Sequence, residues 1–374
     1  VSFADLLSHR SGLPTLGGDY LENLGLKRGE IFQRLRYLEP AFPFRTGYAY
    51  TNFGVTAAGE AAARAAGLDF ADLLSRELFQ PLGMASTSAR FTDYLNSSER
   101  VFSHQIEGGE VFVTERNPEA QAPAGGVSSS ARDMTNWMLL HLQKGNWKGR
   151  QLIPAETLAR TYRPHILVGS SPTNPSSTAF YGLGWRLSYD GQGRLKVQHG
   201  GAFVMGVRTS VTLWPEEDLG IVVLSNAFPS GLPEALTELF FKGYRSGDID
   251  LELGRTVQEK VAQAILDMGE TPTSAKGLGS PPPLPLGSYE GDYINGYYGV
   301  SRIVQKNSGL EIILGERRFP LRHASGDTFV AQVKPHTFED LVNFQVQFCR
   351  DSNGRISGFH QSGLQGPNWF KSSL

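Results

Sequence analysis

"RLKVQHGGAFVMGVRTSVTLWPEEDLGIVVLSN", residues 194–226, decides the fold class. Three runs, RLKVQHGG, GVRTSVTLW and LGIVVLSN, alternate apolar and polar residues and are separated by turns containing Gly, Pro and Asp. Alternation with period two marks half-buried strands, and the connections suit an antiparallel sheet. "YGLGWRLSY" (181–189) reads as a further strand of that sheet. Upstream the period changes. "FGVTAAGEAAARAA" (53–66) reads as a helix of small residues stopped by Gly67. A second helix is expected from Asp69, with Phe70, Leu73, Leu74 and Leu78 as its stripe, ending at Pro81. Residues 88–122 read as loops with short strands. "PAGGVSSSARDMTNWMLLHLQKG" (123–145) is a glycine loop feeding a helix that Ser130 and Asp133 can cap. Pro154 opens a short helix, and helices are expected near 233–245 and 254–268. Helices and an antiparallel sheet together give an α+β fold.

Residues 271–287, "TPTSAKGLGSPPPLPLG", form the clearest linker. Beyond it, residues 288–374 are β in character and dense in aromatics, with hairpin turns at NSG, SGD and DSNG. They read as a small antiparallel barrel or sandwich. The expected organisation is a larger domain over 1–270, the linker over 271–287 and the β domain over 288–374.

Composition excludes several classes of function. With 374 residues, 40% hydrophobic, 19% charged and a net charge of −2, the chain has no basic run to track a nucleic acid and no polyanion as an obvious partner. Its 43 glycines exceed the usual share of about 7% and imply many tight turns. The single cysteine, Cys349, excludes an intrachain disulfide and lies in an alternating strand run. The opening, "VSFADLLSHRSGL", carries neither an initiator methionine nor a signal peptide, so the sequence assigns no compartment.

The enzyme templates can be taken in turn. There is no Gly-x-Ser-x-Gly elbow, no His-Glu-x-x-His, no Walker loop and no dinucleotide fingerprint, and the eight histidines are scattered. No metal and no cofactor is expected. Five pieces remain, in this order: "LLSHRSGLP" (6–14), "YAYTN" (48–52) with its helix and "PLGM", "PAGGVSSSARDM" (123–134), "YGLGW" (181–185) and "QHGGAFVMGVRTSVTLWPEEDLGIVVLSN" (198–226). This series resembles the serine β-lactamase and penicillin-binding-protein superfamily, in particular the class C β-lactamase-like esterases and D-amino-acid peptidases. The resemblance runs from Val1 to about residue 245 and implies an antiparallel sheet flanked by helices plus a helical region. The β domain resembles the lipocalin-like appendages of some members.

The resemblance also implies roles. The family works with Ser-x-x-Lys, Tyr-x-Asn and Lys-Thr-Gly or His-x-Gly motifs. The second is Tyr50-Thr51-Asn52 and the third His199-Gly200-Gly201. A free tyrosine has a pKa of ~10 and is a poor base, but a neighbouring ammonium favours its ionised form. Tyr50 is then expected to relay the serine proton to the leaving group. Asn52 is expected to hold the lysine and the substrate carbonyl. His199 is expected to orient the substrate, Gly200 and Gly201 to admit its backbone, and the N–H of Ala202 to serve the oxyanion.

The departure from the pattern is the first motif. No lysine in the 374 residues has a serine three positions before it. The nucleophile is therefore expected on an N-terminal segment of the same protein that carries Ser-x-x-Lys, which would also supply strands to the main sheet. The expected activity is acyl transfer to water from a small-molecule ester or short peptide, D-residues included. The alternative is a catalytically inactive binding or scaffolding relative, and a homo-oligomer is among the assemblies open to the chain.

Blander expectations accompany these. Ser8, His9 and Ser11 are expected to turn the chain near the site. Trp185 is expected in the core or pocket wall. His104, His141, His165, His323, His336 and His360 are expected to be surface or packing residues. Tyr297 and Tyr298, in "NGYYG", are expected on a loop reaching the active site.

Overall fold

The computed structural model describes residues 1–171, 174–269, 281–331, 333, 343–363 and 366–372. The chain divides into two units, one of residues 1–16 and 40–265, the other of residues 17–39 and 266–374.

The first unit is built on a six-stranded, wholly antiparallel sheet. Its order is Leu219–Ser225, Val207–Trp214, Leu195–Phe203, Arg186–Tyr189, Asn174–Tyr181 and Ile166–Ser171. Period-two alternation sorts the side chains to opposite faces. Leu187, Val197 and Leu213 bury with Trp185 and Met138, the last from the helix Ala131–Leu142. Arg208 and Ser210 point the other way, to Glu234 and Thr237 of the helix Leu232–Ser246. The sheet is thus covered on both faces, and His199 shares the face of Val197 by parity.

The small-residue helix runs Asn52–Ala66 and ends at Gly67, whose φ is +67°. Its composition has a packing cause. A Cβ on Gly59 would lie 2.5 Å from Cβ of Pro123, so this face closes directly on the segment Ala122–Gly125. The helix expected from Asp69 is three consecutive pieces, Phe70–Leu74, a π-helical turn Ser75–Phe79 and Gln80–Leu82. Ser130 caps the helix Ala131–Leu142 through the N–H of Asp133, at 3.2 Å. The Asp133 carboxylate in turn accepts from the N–H of Ser86 and the hydroxyl of Thr87, both at 2.7 Å.

The second unit contains a closed eight-stranded antiparallel barrel, Gly291–Asn295 pairing with Trp369–Lys371 to complete it. Inward residues are largely aromatic: Tyr293, Phe329, Phe344, Phe348, Phe359 and Trp369 are all buried. Most of the expected linker lies outside the described residues, as does His336.

Residues Gly17–Glu39 pack with the barrel, which composition gave no reason to expect. Leu21 and Ile31 of this excursion are fully buried. The N–H of Gly18 donates to the Tyr297 hydroxyl at 2.8 Å, and Arg34 donates to the Tyr297 carbonyl at 3.1 Å. The same contacts show what surrounds Tyr297 and Tyr298 in this unit. Tyr297 is fully buried, and Tyr298 stacks on Trp369 with ring centroids 5.7 Å apart. Both rings serve packing in that unit.

Candidate active site

Tyr50 sits on an extended segment laced to the turn that follows the helix Phe3–Leu7. The N–H of Ala49 donates to the carbonyl of His9 at 2.9 Å, and the N–H of Leu16 to the carbonyl of Tyr50 at 2.7 Å. The N–H of Thr51 donates to Nδ1 of His9 at 3.1 Å. Asn52 then begins the small-residue helix, and its carbonyl accepts from the Thr56 hydroxyl at 2.9 Å. The turn containing Ser8, His9 and Ser11 does position the neighbourhood of Tyr50. It also places the His9 ring in it, 4.3 Å from the Tyr50 ring and 4.6 Å from that of Tyr181. His9 is 1% exposed. Burial, with a smaller push from His199, lowers its pKa to about 3, so the ring is neutral. Because Nδ1 accepts, the proton resides on Nε2.

His199 comes from the other side, on the strand Leu195–Phe203. Its ring centroid lies 6.3 Å from that of Tyr50. Both of its nitrogens are engaged. Nδ1 lies 2.7 Å from the carbonyl oxygen of Gly200, an acceptor only, so Nδ1 carries the proton. Nε2 therefore accepts from the Tyr181 hydroxyl, 2.6 Å away. The expectation that His199 orients the substrate thus gains an intermediary, because the Tyr181 phenol occupies Nε2. Burial holds the His199 pKa below the usual value, opposed by the Gly200 hydrogen bond and reinforced by Arg186. Burial also raises the Tyr181 phenol far above the ordinary range, with Tyr50 and Tyr48 adding to it and Arg186 opposing. Tyr48 is pushed up to about 12 by burial, again against Arg186.

The glycines have a steric reason. A Cβ on Gly201 would lie 2.5 Å from the Thr209 hydroxyl oxygen of the paired strand. Gly200 and Ala202 are exposed. The strand Arg186–Tyr189 pairs with the His199 strand only from Leu195 to Gln198, whereas Val207–Trp214 pairs with it through Phe203. Among the described residues, 199–203 therefore carry a ladder on one side only.

The structure thus brings Tyr50, His199 and the segment Gly200–Ala202 into one neighbourhood. Sequence reasoning missed Tyr181, Arg186 and the close approach of His9. The signal for Tyr181 was present as the first residue of "YGLGW". Arg186 lies opposite Tyr181 in register and is exposed, and its charge reaches Tyr48, Tyr181 and His199. Among the described residues there is no group of three or more His, Cys, Asp or Glu side chains that could hold a metal ion.

Among the curated proteins the chain resembles "Unguisins hydrolase ungD'" of Aspergillus campestris (strain IBT 28561), 26% identical over 320 residues, which covers 78% of this chain and 56% of that protein. The chain spans 44 to 65% of the length of the curated relatives it matches. The octameric penicillin-binding protein homologue from Pyrococcus abyssi superposes with a TM-score of 0.57 at 14% identity, over 98% of this chain and 77% of that one. A D-stereospecific amidohydrolase from Streptomyces gives 0.51 at 18% identity, over 66% and 73%. These two likenesses concern the fold. Residues 275–369 match a domain of unknown function, DUF3471. Residues 1–240 match the Beta-lactamase family, and the chain belongs to it.

Proposed function

We propose that this protein is a serine hydrolase that cleaves esters or short peptides, D-residues included, through an acyl-enzyme. The nucleophile is a serine of a Ser-x-x-Lys motif on a segment N-terminal to residue 1. Tyr50 takes the serine proton and passes it to the leaving group. Asn52 holds the lysine and the substrate carbonyl. The His199–Tyr181 pair orients the substrate, and the N–H of Ala202 serves the oxyanion. The observation that carries this reading is the convergence of the Tyr50 and His199 rings, 6.3 Å apart, beside a strand segment paired, among the described residues, on one side only. The hydrolase name of the Aspergillus relative supports the reaction class.

Two surfaces support a missing segment. Among the described residues, Leu219–Ser225 pairs only with Val207–Trp214, leaving an open edge. The helix Leu232–Ser246 exposes a stripe four residues apart, with Leu232 and Leu236 each 40%, Phe240 39% and Tyr244 57% exposed. A strand and a helix from an N-terminal segment would cover both.

The test is labelling with a fluorophosphonate and mapping of the modified peptide. The chain extended by its Ser-x-x-Lys segment is expected to take one label, on that serine, and the 374-residue chain alone none. A label on a serine within residues 1–374 refutes the assignment of the nucleophile. An extended chain that folds and takes no label supports the inactive, binding relative.

Arg186 supports a preference among substrates. It is a cation with no acidic partner among the described ion pairs, and its charge reaches His199, Tyr181 and Tyr48. Arg186→Gln is expected to raise KM for a peptide or half-ester bearing a free carboxylate by about tenfold, the scale of one charge-assisted hydrogen bond. KM for p-nitrophenyl acetate is expected to stay within about threefold. Equal effects on both substrates would remove Arg186 from recognition.

A further inference from the structure

His9 holds both peptide N–H groups that flank Tyr50. Its carbonyl accepts from Ala49 at 2.9 Å and its Nδ1 from Thr51 at 3.1 Å. Its ring lies against the Tyr50 ring at 4.3 Å. One residue thus touches the backbone before Tyr50, the backbone after it and its side chain. His9 itself takes a φ of +56°, a conformation uncommon for a residue with a β-carbon. This turn presents the His9 carbonyl and imidazole to the same segment. Nε2 is buried and has no hydrogen-bond partner among the described residues. Leaving a buried donor unpaired is destabilising. Phe at this position would avoid that cost, so the cost is offset by what Nδ1 does.

We propose that His9 is a positioning residue that clamps the peptide groups on either side of Tyr50 and so fixes the phenol for proton transfer. The clamp works only with a neutral imidazole whose Nδ1 lone pair is free to accept. The inference rests on the reading of Tyr50 as the base, and it adds to that reading a residue that touches neither substrate nor nucleophile.

Two variants separate the clamp from simple packing. His9→Phe keeps an aromatic ring against Tyr50 and Tyr181 but removes the acceptor. His9→Asn gives up the ring and offers Oδ1 in roughly the place of Nδ1. In the full-length protein, His9→Phe is expected to lower kcat on p-nitrophenyl acetate by about tenfold or more with KM unchanged, since small misplacement of a catalytic group costs up to ~10²-fold. His9→Asn is expected to recover kcat to within about threefold. A purely structural role predicts the reverse order, because Asn leaves the larger void. Amide exchange of Thr51 gives a second readout that needs no turnover. It is expected to speed up at least tenfold in His9→Phe and to stay near wild type in His9→Asn. Equal Thr51 exchange in the two variants overturns the clamp. If wild-type protein neither turns over nor labels, the reading of Tyr50 fails, and the exchange result still decides the clamp. If His9→Phe does not fold, the imidazole ¹⁵N shifts of wild type decide: an Nε2–H tautomer supports the proposal and an Nδ1–H tautomer overturns it.

Discussion

Tyr50→Phe is expected to lower kcat by about 10²–10⁴-fold, the range supplied by a positioned acid–base group. The substitution removes one oxygen and leaves the ring. Contact with His9 at 4.3 Å is therefore kept, and so are the hydrogen bonds from the Thr51 N–H to His9 Nδ1 and from the Leu16 N–H to the Tyr50 carbonyl. Melting temperature is expected to change little. KM is expected to change little as well, because the phenol acts on a proton that moves between ground state and transition state. Steady-state kinetics on a neutral ester, with thermal unfolding of the same samples, separate these effects. A variant retaining a third or more of wild-type kcat would transfer the role to another phenol. Tyr181 is a poor candidate, since its hydroxyl already donates to His199 at 2.6 Å and burial disfavours its ionised form. Tyr181→Phe is accordingly expected to act through the imidazole, freeing Nε2 of His199, and to cost less than Tyr50→Phe.

Sequence and structure agree where a local pattern carries the information. Alternation fixes a strand from few residues, and Leu195–Phe203, Val207–Trp214 and Leu219–Ser225 fall where the pattern puts them. The small-residue helix is legible because alanine favours a helix intrinsically while a glycine inside one needs a packing reason, here Pro123 against Gly59. Tyr50 and His199 were readable as motif positions. What the motifs could not show is pairing at a distance. Tyr181 and His199 are eighteen positions apart, and their bond depends on the turn between strands, where Gly184 takes a φ of +81°. The excursion Gly17–Glu39 was invisible for a similar reason. Its helices are amphipathic like any others, and the burial of Leu21 and Ile31 does not name the partner. The burial of Tyr297 was not legible because a pair of tyrosines between glycines suits a surface loop and a buried turn equally. The Gly18 N–H that satisfies its hydroxyl lies 279 positions away.

Asp5 carries the second large effect, on stability. Its side chain is fully buried, and both oxygens are used. Oδ1 accepts from Nε of Arg10 at 2.9 Å and Nε of Arg45 at 2.8 Å, and Oδ2 from Nη2 of Arg45 at 2.9 Å and from the N–H and hydroxyl of Ser2, each at 2.8 Å. One carboxylate thus ties together the helix start, the His9 turn and the segment that leads to Tyr50. Asp5→Asn keeps the volume but loses the charge and turns one acceptor into a donor facing arginines. Removing one partner of a buried pair costs roughly 3–5 kcal/mol. Arg45 is 53% exposed and can return to water, which puts the expected loss near the lower end, about 3 kcal/mol. That corresponds to a fall in Tm of roughly 6–12 °C for a unit of this size. The pH dependence has a definite sign. The arginine and serine hydrogen bonds, Arg45 first, hold the Asp5 pKa far below the unfolded value of about 3.9. Its contribution is therefore complete above about pH 4 and is lost as pH falls through the folded pKa. Urea unfolding of wild type and Asp5→Asn at pH 7, 5 and 3 tests this. The gap between them is expected to be equal at pH 7 and 5 and smaller below pH 4. A gap that widens on acidification would mean that the charge on Asp5 opposes the fold. The same substitution loosens the frame on which Tyr50 stands, so a loss of kcat that follows the loss of stability would show that one buried carboxylate supports both.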